Sequence, residues 1–170
     1  MNISRPENGA FPPYFSKYID LVEGEIMGVL NKQRKEMKKF LFSNINLSYT
    51  YAPGKWSVRQ SITHLIDTER VFAYRALCFS RGESKSLPGF EQDEYAQQYW
   101  DHLDAEHLWK EYNAVRKSTI MLFRNMNMEM LGRQGDVEGN DLSVSAIPYI
   151  LAGHQIHHMK LFKSKYNLKP

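Results

Sequence analysis

The chain has 170 residues, 42% of them hydrophobic; that suffices to bury a core in one domain spanning 1–170 and excludes a disordered polymer. Its net charge is only +3, from 22 basic and 19 acidic residues, which argues against a nucleic-acid partner. No apolar run reaches the roughly 20 residues that span a bilayer, and a lone cysteine, Cys78, fits a reducing, cytoplasmic compartment.

The opening "MNISRPENGAF" (1–11) has no basic-then-apolar signal pattern and reads as an irregular lead-in. Pro12 and Pro13 suit the first turn of a short helix through "YFSKYIDLV", since a first-turn proline loses no hydrogen bond. Gly24 marks a break, and a longer helix then runs to about Phe42. Its "KQRKEMKK" (32–39) is the one basic cluster; Glu36 interrupts it, and a solvated helix face explains it. "NINLSYTYAPGK" (44–55) is a loop with Pro53-Gly54 as turn residues. Ser57 followed by Gln60 is a capping-box pattern that starts a helix from Val58 to about Arg81. A loop over 81–95 follows, with a short helix near Asp93. Asp104 caps a third long helix ending near Met128. "GRQGDVEGND" (132–141) reads as a glycine-rich connection, and Ser143 as the cap of a fourth helix reaching Tyr166. Pro148 falls early in that helix and costs a backbone bond unless the start lies later. No convincing strand hairpin is seen. The expected fold is all-α, a four-helix bundle with a short N-terminal helix and two long connections.

Three of the six histidines fall in "GHQIHH" (153–158). With His154 at zero on a helical wheel, Ile147, Ile150, Leu151, Leu161 and Phe162 all lie within about 80°, so the apolar face is centred between His154 and His158. His157 lies on the flank, and Ile156, Met159 and Lys163 point away. Imidazoles resist burial unless hydrogen-bonded or ligating. An i, i+4 pair is a chelating arrangement, but two core histidines with polar partners would read alike. A third ligand has three candidates. His102 and His107 sit near a helix start and suit solvent or capping; His64 is two turns into the second long helix and can face the pair across a core.

"YAPGKWSVRQSITHLIDTERVFAYRAL" (51–77), "LPGFEQDEY" (87–95) and "SVSAIPYILAGHQIHHMKLFKSKY" (143–166), in this order, resemble the DinB-like superfamily, also called DinB/YfiT-like. The resemblance covers nearly the whole chain. It implies a bundle with an unusual connection order and a three-histidine metal site, which falls here on His64, His154 and His158. It implies one divalent ion per site, nickel or zinc, or else iron or manganese. It also implies a homodimer. Members with known reactions include S-transferases using low-molecular-weight thiols such as bacillithiol or mycothiol, and a maleylpyruvate isomerase; many have no assigned reaction.

Three imidazoles leave the ion's charge at +2 and a position for water or a thiolate. The leading expectation is therefore a thiol-dependent S-transferase acting on a small electrophile, with a low-molecular-weight thiol as cosubstrate. The alternatives are a metal-dependent hydrolase and a non-catalytic metal-binding or dimerisation module. Asp67, one turn after His64, can orient an imidazole from behind or simply pair with Arg70. Gln155 stands where this branch of the superfamily often has Glu; it lies behind the histidines or on the surface, and a neutral amide cannot act as a base. Trp56, Phe90, Tyr95 and Tyr149 are candidates for a pocket mouth, though aromatics are more often plain core. Glu69 points away from His64 and reads as structural. Arg75 either meets an anionic substrate or neutralises a buried acid, and the latter is preferred. Cys78 reads as packing.

Overall fold

The structure, a computed structural model, describes residues 3–98 and 101–168. Four long helices form a bundle: α2 (Ile26–Leu41), α3 (Val58–Ser80), α5 (Ala105–Arg124) and α7 (Ala146–Ser164). Shorter helices are α1 (Ser16–Ile19), α4 (Gln92–Gln97) and α6 (Met128–Gly132). Each long helix except α7 starts on a side-chain cap. Glu25 accepts from the backbone N–H of Met27 and Gly28, and Asp104 from that of His107. Ser57 and Gln60 form the full reciprocal box, at 3.1 and 2.8 Å.

The core has two apolar clusters, one toward each end of the bundle. One gathers the start of α2 (Ile26, Leu30), the end of α3 (Phe72, Phe79), the end of α5 (Ile120, Phe123) and the start of α7 (Ile147, Ile150). The other gathers Met37 and Phe40, Ile62 and Leu65, Leu108 and Tyr112, and Phe162. Helices α2 and α7 therefore run one way, and α3 and α5 the other. The main neighbours of α2 are α5 and α7, and so are those of α3, which sets consecutive helices α2 and α3 across a diagonal. The long connection from α3 to α5, carrying α4, returns the chain along the bundle.

Between the two clusters lies a polar layer. Arg116, 2% exposed, donates from Nε to both carboxylate oxygens of Glu69 (2.8 and 2.9 Å). Its two terminal nitrogens donate to Gln33 Oε1 (2.9 Å) and Gln155 Oε1 (3.0 Å). Tyr112 donates to Gln155 Oε1 at 2.6 Å, and Gln33 donates to the Ala152 carbonyl at 2.8 Å. The network joins all four long helices and satisfies a cation that would otherwise be buried at great cost.

Four expectations change. A hairpin does exist: β1 (Gln134–Val137) pairs antiparallel with β2 (Asn140–Ser143). Its two turn residues, Glu138 (φ 50°) and Gly139 (φ 80°), both have the positive φ that a tight hairpin turn of this hand requires. Ser143 thus ends a strand, and α7 begins at Ala146, although Ser143 Oγ still accepts from the Ala146 N–H. Pro148 consequently falls in the first turn, where its missing N–H costs no bond. The third long helix stops at Arg124, and Asn127 caps the separate α6. The N-terminal helix is a 3-10 turn (Pro13–Phe15) followed by the four-residue α1. That segment lies against α7 at Gly153, where a Cβ would overlap the Tyr18 carbonyl. No helix among the described residues is long and apolar enough to cross a membrane.

Candidate metal centre

His64 comes from α3, and His154 and His158 from α7, where antiparallel packing brings the second turn of α3 against the middle of α7. All three are buried, at 4%, 7% and 8% exposure. Their Nε2 atoms converge: His64 to His154 is 3.2 Å and His158 to His154 is 3.1 Å. One ligating atom from each lies within 4.8 Å of the others. Zinc–nitrogen bonds of about 2.0–2.1 Å put tetrahedral ligand nitrogens roughly 3.3 Å apart. The two short separations are close to that, so the three donors fit one divalent ion with a position left over.

Burial sets the protonation. It lowers the pKa of His64 to about 4, against a smaller opposing pull from Asp93. It lowers His158 to about 3, and His154 well below the usual value with help from the neighbouring imidazoles. All three are neutral at pH 7, the form that ligates. Thr68 Oγ1 lies 3.4 Å from His64 Nδ1, so a proton on that nitrogen leaves Nε2 free as a donor. The Trp56 ring covers His64 at 4.7 Å, and the Tyr18 ring meets His154 edge-on at 5.2 Å.

Two cavities reach the triad and share no lining residue. One, of about 710 Å³, is lined by His158, Trp56, Lys55, Asp93 and Tyr166 among others. The other, of about 360 Å³, is lined by His64 and His154, with Phe72, Arg75 and Phe90. Its roof is the N-terminal turn (Tyr14, Tyr18) and the hairpin tip.

The remaining candidates divide. Trp56 and Phe90 line these cavities; Tyr95 is exposed and packs on Phe90. Tyr149 lines neither, because its hydroxyl donates to the Ile3 carbonyl within the core. Asp67 meets Arg70 at 3.4 Å and no imidazole, since its position on α3 turns it toward α5 and solvent. Gln155 is neither on the surface nor behind the histidines; it belongs to the Arg116 network. Arg75 neutralises no buried acid. Its Nη2 donates to the Pro88 carbonyl at 2.9 Å and its guanidinium lies over Phe72. His107 is exposed and meets Asp104, His102 is exposed, and His157 is half-buried beside Tyr18. Thr68 shares the His64 side of α3 in the sequence, together with Ser61 and Val71, and its i+4 spacing is the signal for the contact the structure shows.

The DinB superfamily model matches residues 25–162. A protein of Oceanobacillus iheyensis named "Putative metal-dependent hydrolase OB0413" is 28% identical over 118 residues, 69% of this chain and 68% of its own. YfiT from Bacillus subtilis, described as "a probable metal-dependent hydrolase with an unusual four-helix bundle topology", shares the fold at TM-score 0.70 and 14% identity. That match covers 98% of this chain and 95% of the other.

Proposed function

The chain belongs to the DinB superfamily, and from that premise we propose that it is a metal-dependent enzyme acting on a small molecule, with His64, His154 and His158 as the ligands. The observation that carries the reading is the convergence of three buried, neutral Nε2 atoms. A divalent ion held there would supply a Lewis acid that activates water or a thiol at neutral pH. The chain's own residues do the rest. Thr68 orients His64, and Trp56 and Tyr18 shield the imidazoles from bulk water.

Two chemistries use this arrangement. The geometry favours group transfer, because separate cavities of about 710 and 360 Å³ give two organic reactants access to one centre. The first reactant is a low-molecular-weight thiol and the second a small electrophile. Hydrolysis is the second reading, and the names of the two similar proteins favour it.

The test is to load the protein with nickel or zinc and supply an electrophile such as a bimane halide, with and without free thiols. Adduct formation that needs both thiol and metal, and is absent in His158→Ala, supports transfer. Thiol-independent turnover of ester or amide substrates supports hydrolysis instead. Neither activity in a metal-loaded protein would leave the non-catalytic module standing.

A further inference from the structure

We propose that Arg75 is the anion-recognition residue of the smaller cavity, and that this cavity takes an elongated molecule with an apolar middle and a terminal carboxylate. The substrate role rests on the enzyme reading above; the binding itself does not.

Two arginines are buried in this bundle, and their surroundings differ. Arg116 has a carboxylate and two amides around it. Arg75 is only 5% exposed, yet no carboxylate among the described residues lies within ion-pair distance of it. Its one hydrogen bond among the described residues, to the Pro88 carbonyl, uses a single nitrogen of a fork with five N–H donors. A largely buried cation with no carboxylate paired to it is costly, and its unused donors face the cavity, where a ligand's anion can take them. The cavity's acids attract Arg75 only from a distance: Glu138 is near enough to be felt electrostatically but forms no ion pair with it. Glu91 and Glu138 are exposed at its rim, and the Glu138 carboxylate rests against Gly89. The other cation on the lining, Lys17, is also exposed.

The spacing describes the ligand. His64 and Arg75 are eleven residues apart on α3, which is about 16 Å along the axis and about 20° around it. Both side chains line the same cavity. Between them lie Thr68 and Phe72, with Ile150 and Phe15 also on the wall. A bound molecule therefore has its reacting end at the histidines, an apolar stretch over Phe72, and its anion at Arg75. The planar fork matches a carboxylate in two-point geometry.

The experiment is a thermal-shift titration at pH 7 with phenylacetate and its homologues up to 6-phenylhexanoate, each beside its primary amide. It is run on the wild type, Arg75→Met, Arg75→Lys and His154→Ala, with metal content measured in parallel. The expected result is that at least one carboxylate binds wild type tenfold or more tightly than its amide. Arg75→Met removes that preference and Arg75→Lys keeps part of it. No carboxylate preference in wild type overturns the proposal, and so does a preference undiminished in Arg75→Met. If Arg75→Met does not fold, wild type and Arg75→Lys decide, and an unweakened preference in Arg75→Lys overturns the two-point geometry. A preference lost in His154→Ala but kept in Arg75→Met assigns the carboxylate to the metal and also overturns it. An Arg75-dependent preference in protein that binds no metal would sustain this proposal and refute the metal-enzyme reading.

Discussion

Replacing Glu69 by Gln should destabilise the protein by about 3 kcal/mol, the lower end of the range for breaking a buried ion pair. Glu69 and Arg116 are 1% and 2% exposed, so water cannot take the place of the lost charge. The amide keeps one acceptor for Arg116 Nε, which is why the lower end applies. Arg116→Met is more severe, about 5 kcal/mol, because it strands the Glu69 charge and leaves the side-chain oxygen of Gln33 without its donor. A double replacement, Glu69→Leu with Arg116→Met, should cost far less than the sum, since no charge is left unpaired. Urea unfolding followed by far-UV circular dichroism measures each value. At about 2–4 °C per kcal/mol for a chain of this size, Glu69→Gln should also lower Tm by roughly 6–12 °C. A Glu69→Gln protein within 1 kcal/mol of wild type (the scale of a surface pair) would refute the description of this layer.

Gly153→Ala should cost about 1–3 kcal/mol, because a Cβ there meets the Tyr18 carbonyl and must push the N-terminal turn off α7. Far-UV circular dichroism should stay close to wild type while proteolysis of residues 3–24 accelerates; unchanged protection would count against that close approach. The metal-free protein should lose stability in acid. Burial holds His64 at about 4 and His158 at about 3, whereas an unfolded chain's histidines titrate near 6.5. Between those values the unfolded state binds more protons, so stability is full above about pH 6.5 and falls as pH drops toward 4 and 3. At 1.36 kcal/mol per pKa unit, His64 alone accounts for about 3 kcal/mol. Urea midpoints between pH 7.5 and 4.5 measure the slope, which should be shallower in His158→Ala; a flat wild-type profile would contradict burial of neutral imidazoles.

Much of the fold was legible because local chemistry and tertiary structure agree. Ser57 and Gln60 mark the start of α3, and Asp104 that of α5, where the structure has them. The wheel of α7 placed His154 and His158 on the buried face because helix period alone decides that. The hairpin escaped because its first turn residue is Glu138; Asn or Asp, which adopt positive φ readily, would have signalled it. The break between α5 and α6 hides in "NMNMEM", where the methionines suit a helix throughout and only the Asn127 cap marks the restart. The Arg116 layer required knowing that α3 and α5 run parallel, which no local pattern carries. Gln155 was read from its distance to a histidine along the chain, and its partners on α5 overrode that; of the two readings of Asp67, the structure has the pair with Arg70, one turn along α3. Arg75 went the other way: an acid was expected beside it, and the structure gives it a carbonyl and a cavity.

The measurement that bears most directly on the account is metal content by elemental analysis, on untagged protein purified without chelator and reconstituted with nickel or zinc, beside His64→Ala. Three converging imidazoles predict about one divalent ion per chain in wild type and loss of it in the variant. No bound ion after reconstitution, or full occupancy in His64→Ala, would contradict the three-histidine centre.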